Sequence, residues 1–269
     1  MSKKQRYFYY YDEVHDDFAS NSIVAKPIPE DYEYFPKSRL YRIIEPVAYY
    51  FIATIIKICY GLRLVFPIKN KKVLKEREDR KKGYFVFANH TNAINDAFAH
   101  PGTAFPGHCY HIVHPDGISI KGLSTFLMMI GLFPRPEKRK TYLTFYNSIE
   151  KAIGKGRSIV IFPEAHIWPK YNKIRNFPDV SFYYPVKLDA PCYARTTVYK
   201  KRRDGSTKGV TYYDGPFYAD QKLPFKEAQK DLRDRIHKKM TERANDSAID
   251  CNYHYIKVET PDEVRMEVV

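Results

Sequence analysis

The segment FANHTNAINDAF, residues 87–98, places His90 and Asp96 directly behind an apolar run. Histidine is the usual general base near neutral pH, and a carboxylate can fix its tautomer and stabilise the imidazolium. Asn92 and Asn95 suit turns and helix caps. A chain that leaves a strand at Asn89 and enters a helix at this Asn-rich turn can therefore fold Asp96 back onto the ring. Read alone, the stretch also describes a satisfied structural histidine. MMIGLFPRP, residues 128–136, carries Arg135 just after a Gly-Leu-Phe-Pro turn, and Arg is suited to gripping phosphate. IVIFPEAHIWP, residues 159–169, sets Glu164 behind a strand and before Trp168. YPVKLDAPCYARTTVY, residues 184–199, has a helical piece, a break at Ala190-Pro191 and then a strand. Taken singly, these three also read as a surface arginine, a helix-start carboxylate and a plain connection.

The elements that must hold these residues follow from pattern. GYFVFA (83–88), CYHIV (109–113), SIVIF (158–162), CYARTTVY (192–199) and GVTYY (209–213) read as strands. Helical stretches lie near 120–130 and 141–155, and FKEAQKDLRDRIHKKMTER (225–243) is a long amphipathic helix. Strands alternating with helices predict an α/β fold with a central mixed sheet flanked by helices. In such sheets chemistry gathers beyond the strand ends, where His90 and Glu164 both fall.

Four parts are expected. Residues 1–40 form a polar, aromatic N-terminal arm with little regular structure. Residues 41–82 form a membrane-contacting segment, residues 83–250 the catalytic domain, and residues 251–269 a C-terminal tail. In the second part, YRIIEPVAYYFIATIIKICYGLRLVFPI (41–68) is the most apolar stretch of the chain. A spanning helix needs roughly 20 mostly apolar residues, and Glu45, Lys57 and Arg63 interrupt this one. KNKKVLKEREDRKK (69–82) follows, with eight basic and three acidic residues. An apolar helix beside a polybasic segment suits the interface of an anionic membrane; a core helix followed by a solvated charged helix has the same pattern.

The 269 residues carry a formal charge of +14, which implies an anionic partner such as a lipid surface, nucleic acid or an acidic protein. Four cysteines, at 59, 109, 192 and 251, follow no disulfide or zinc spacing. A reduced, cytoplasmic setting is expected, with no metal. The N-terminus shows no signal-peptide pattern. No G-x-S-x-G elbow marks a serine hydrolase, and G-K-G-R-S at 154–158 lacks phosphate-loop spacing. No basic–aromatic nucleic-acid signature accompanies the charge.

The order of the blocks is more specific than any one of them. Strand–N-H…D, then G-x-x-x-R, then strand–F-P-E, then Pro–strand resembles the glycerophospholipid acyltransferases, the PlsC-like lysophosphatidate acyltransferase family, over roughly residues 83–200. The resemblance implies transfer of a fatty acyl group from a thioester, acyl-CoA or acyl carrier protein, to the hydroxyl of a lysophospholipid such as 1-acylglycerol 3-phosphate. His90 would be the base and Asp96 its orienting carboxylate. Arg135 would contact the acceptor phosphate, and Asn89, Glu164 and Pro191 would line the acceptor site. No cofactor beyond the acyl donor is implied. The expected place is the cytoplasmic face of the cell membrane, peripheral or monotopic.

Two departures stand out. Five residues separate His90 from Asp96 where the family has four, so Asn95 occupies the family position of the aspartate. FPEAHIW lacks the Gly, hydroxyl residue and Arg of the family block, leaving Lys170, Lys173 or Arg175 as possible substitutes. The rival reading is a catalytically lapsed lipid-binding protein of the same fold.

Overall fold

A computed structural model describes residues 4–19 and 24–269; the part of the N-terminal arm at 1–3 and 20–23 lies outside the described residues. Strand β3 (Tyr84–Ala88) is buried along its whole length, as a strand covered on both faces must be. It pairs in parallel with β6 (Ser158–Ile161) on one side and β7 (Cys192–Lys201) on the other. β4 (Cys109–Val113) and β5 (Leu132–Pro134) extend the sheet beyond β6. β8 (Thr207–Phe217) runs antiparallel to β7, and the short β2 (Ile68–Lys69) closes that edge. The order is β2-β8-β7-β3-β6-β4-β5, and the one antiparallel pairing makes this seven-stranded sheet mixed.

Alternation along β3 divides the core. Phe85 and Phe87 join Ile149 and Ile153 of α4 (Tyr142–Gly154) and Leu232, Ile236 and Met240 of α6 (Phe225–Ala244). Tyr84, Val86 and Ala88 face the other way, with Tyr49 and Ala53 of α1 (Arg39–Gly61). Between the strands lie α2 (Ala93–Ala104), α3 (Ser124–Met129) and α5 (Tyr183–Leu188).

Helix α1 buries only Tyr49, Ala53 and Ile56, a narrow stripe at spacings of four and three that seats one face on the domain. Leu40, Ile43, Val47, Phe51, Ile55, Ile58 and Leu62 are exposed. With 23 residues it is long and apolar enough to cross a membrane by length and composition. The polybasic segment is not a helix. It is a single 3-10 turn at Lys71–Lys75 that buries Val73 and Leu74, followed by irregular chain.

The two ends of the chain differ most from the expected arm and tail. β1 (Arg6–Tyr10) sits between β9 (Tyr253–Lys257) and β10 (Arg265–Val268) in a separate three-stranded sheet. Phe8, Phe18, Trp168 and Tyr171 make its buried centre, with Tyr10, Tyr253 and Tyr255 against them. The indole N–H of Trp168 donates to the carbonyl of Asp16 at 2.9 Å. The arm is thereby fastened to the loop after β6, where the third sequence block lies.

Candidate active site

His90 follows the end of β3, and α2 begins three residues later. The Asn92 side chain caps that helix, accepting from the Asn95 N–H at 2.8 Å. The cap turns Asp96, in the first turn, back toward the strand end. Its Oδ2 accepts from His90 Nδ1 and from the N–H groups of Thr91 and Asn92, each at 2.9 Å. A carboxylate is stabilised there by main-chain donors and by the positive end of the helix dipole. Because an ionised carboxylate only accepts, Nδ1 carries the proton and Nε2 keeps the lone pair. The extra residue in the spacing is absorbed by the cap. Asn95 points into the core instead, donating toward Thr197 and Thr211 at 3.3 and 3.1 Å.

The third block clamps the histidine from the other side. Glu164, buried, accepts the His90 N–H on Oε2 at 3.0 Å. Trp168 N–H donates to the His90 carbonyl and Lys170 N–H to that of Thr91, both at 3.0 Å. The His90 ring lies on Phe162, centroids 4.2 Å apart and planes 24° apart. Where the family block has Gly, Ala165 adopts φ of +62°. The turn thus keeps its left-handed shape without glycine, at a cost of about 1–2 kcal/mol. The second block needs its glycine outright: Gly131 has φ of +100°, and a Cβ there would meet the Cys109 carbonyl oxygen at 2.3 Å.

These loops surround a cavity of about 760 Å³. His90 and Arg135 line it, as do Ile112, Ile130, Leu132 and Ile161. Tyr49, Ile52, Ala53 and Ile56 of α1 form part of its wall, so the helix with the exposed apolar face also borders the site. Asp17 of the N-terminal arm reaches the wall and pairs with His166 at 3.3 Å. Neither the arm nor His166 stood out in the sequence, because their meeting depends on a pairing of the two chain ends. Buried His111, also on the wall, is lowered to about 3 by burial first and then by the charge of Arg195. It is therefore neutral. His100, deeper in α2, is likewise held well below its ordinary value by burial and Arg195.

The remaining sequence candidates do not line the cavity. Asn89 is buried in reciprocal hydrogen bonds with the main chain of Thr197, at 3.0 and 2.8 Å. Arg175 has no exposed surface. Its N–H donates to Glu164 Oε1 at 3.0 Å, its Nη2 lies 3.3 Å from Oε2, and its Nη1 donates to the Glu13 carbonyl at 3.0 Å. Arg175 and Glu164 are thus a buried ion pair that fixes the loop, occupied with each other instead of reaching a head group. Lys170 is bound to Asp250 at 2.9 Å. Pro191 lies at the opposite end of β7 from the site, where its carbonyl accepts from Phe85 N–H. Among the described residues, Arg135 is the one arginine or lysine on the cavity wall.

A mixed sheet thus carries a His–Asp pair at a strand end, beside an apolar cavity bordered by a surface helix. Residues 68–198 match the family model described as Acyltransferase. The fold is similar to the crystal structure of the 1-acyl-sn-glycerophosphate (LPA) acyltransferase, PlsC, from Thermotoga maritima. That likeness has a TM-score of 0.53 and 14% identity, and covers 80% of this chain and 87% of that one. No curated protein matches the chain. Residues 68–198 thus resemble an acyltransferase domain, on a fold similar to that of PlsC, as the order of the motifs implied.

Proposed function

We propose that the protein transfers a fatty acyl group from a thioester donor, acyl-CoA or acyl carrier protein, to the hydroxyl of a lysophospholipid such as 1-acylglycerol 3-phosphate. The observation that carries this reading is the 2.9 Å contact of His90 with Asp96 on the wall of an apolar cavity. In this reading Nε2 of His90 takes the proton of the acceptor hydroxyl. The oxygen attacks the thioester carbonyl carbon, and the carbon–sulfur bond breaks as the tetrahedral intermediate collapses. The imidazolium returns its proton to the departing sulfur, giving an ester and a thiol. Asp96 holds the ring and stabilises the imidazolium between these steps. The apolar wall suits an acyl chain, and Arg135 suits the acceptor phosphate.

The same reading seats α1 in the interface of an anionic membrane on the cytoplasmic side, held by its exposed apolar face and by the basic excess of the chain. A lipid acceptor then reaches the cavity along a wall that α1 itself supplies. The test is transfer of a labelled acyl chain from each donor to a panel of lysophospholipids and glycerol phosphate in anionic vesicles, with products identified by mass. Labelled diacyl product supports the proposal and identifies the acceptor. Vesicle binding without product from any pair would support the lapsed lipid-binding protein instead.

A further inference from the structure

Arg195, in the middle of β7, has no exposed surface. The strand CYARTTVYKK looks apolar and β-branched around it, and nothing in the local pattern calls for a charge. A buried guanidinium must be paired, and its carboxylate partner is Asp96. Both terminal nitrogens donate to the Asp96 carbonyl at 3.1 Å, and Nη2 lies 3.6 Å from Asp96 Oδ1. Asp96 therefore divides its carboxylate. Oδ2 serves His90, Thr91 and Asn92, while Oδ1 has no hydrogen bond among the described residues and faces Arg195. The guanidinium carbon also lies 5.2 Å from the centroid of Phe162, the ring on which His90 stacks.

Other groups around the pair leave this charge balance to Arg195. From β4, His111 and Cys109 are held uncharged by burial, as is His100 from α2. Tyr60 of α1, Tyr199 of β7 and Tyr213 of β8 are kept protonated by burial. Glu164, on the loop after β6, has its own cation in Arg175, and His166 on that loop pairs with Asp17.

We propose that Arg195 is a positioning residue of acyl transfer, which fixes Asp96 by its main chain and offsets the charge that this carboxylate presents to His90. This rests on the reading of His90 as the base. Without the cation, Asp96 acts on His90 uncompensated, the imidazolium gains stability, and the resting base is lost to protonation.

The test compares kcat and kcat/KM across pH for the wild type, R195Q, R195K, D96N and the double variants, with labelled donor in anionic vesicles and folding checked by thermal melting. R195Q should lower kcat at neutral pH by about tenfold or more and move the acidic limb of the profile up by about one pH unit, with KM values changed less than about threefold. R195K, which keeps the cation, should restore the limb. In the D96N background R195Q should cost less than about threefold, since its route of action is gone. A folded R195Q with an unmoved limb, or a penalty undiminished in D96N, would overturn the proposal. If R195Q does not fold, R195M measured with and without D96N decides by the same criterion. An H90A enzyme that still turns over would instead remove the base reading beneath it.

Discussion

Asp96 Oδ2 sits 2.9 Å from His90 Nδ1 while accepting two main-chain N–H groups at the same distance, so the carboxylate is held before it holds the ring. Its neighbour Asn95, which occupies the family position of the aspartate, is turned away into the core. D96N should therefore lower kcat by about 10²- to 10⁴-fold. N95A should instead cost about 1–2 kcal/mol of stability through its lost buried hydrogen bonds and leave kcat of the folded protein within a few-fold. Steady-state kinetics beside urea unfolding separates the two.

Arg135 is exposed, and its side chain reaches the cavity wall from the turn after β5. Since Arg175 is committed to Glu164, phosphate recognition in the proposed reaction falls on Arg135. R135M should raise KM for a phosphate-bearing acceptor by about tenfold or more, the worth of one charge-assisted contact, with a smaller effect on KM for the donor.

The exposed apolar residues of α1 contribute little to the core, so changing them should spare folding. Val47 and Phe51 are about two-thirds exposed. V47E combined with F51E should weaken binding to anionic vesicles at least about tenfold, given about 1.5–3 kcal/mol for each large apolar side chain buried. The melting temperature should stay within a few degrees. Cosedimentation measures the first, a thermal scan the second. Wild-type binding should also fall as salt is raised.

The motifs of this chain were legible because they are local. A strand buried on both faces must be continuously apolar, and a helix cap needs Asn at a defined place, so β3 and the turn after it can be read from Phe85 to Asp96. The burial and pairing of Arg175 and Arg195 could not be read this way. Arg195 stands in a strand pattern that it does not disturb, and Arg175 in a polar loop where a basic residue is ordinary. Each acquires its meaning from a carboxylate brought by a different element. The same holds for the small second sheet: β1 and β9 are paired across nearly the whole chain, and neither YFYY nor YHYI announces its partner. Nor does the polybasic stretch announce that Val73 and Leu74 are drawn into the core beside the sheet edge.

His100 and His111 are buried as neutral rings, with His111 lowered to about 3 from an ordinary 6.5. The folded state then binds fewer protons than the unfolded chain between those values. Stability is fully present above about pH 6.5 and is lost as pH falls through the window below it, by about 2 kcal/mol at pH 5 for His111, with His100 acting in the same direction. The melting temperature should drop steadily from pH 7 to pH 5. H111Q, with no titrating ring, should reduce that slope.

The most direct measurement is thioester consumption by purified wild type and H90A, in anionic vesicles with long-chain acyl donor and lysophospholipid acceptor, after thermal melting shows both proteins folded. Loss of the base should cut turnover by about 10²- to 10⁴-fold, while vesicle binding is unchanged. An H90A protein that consumes thioester at the wild-type rate would contradict His90 as the base.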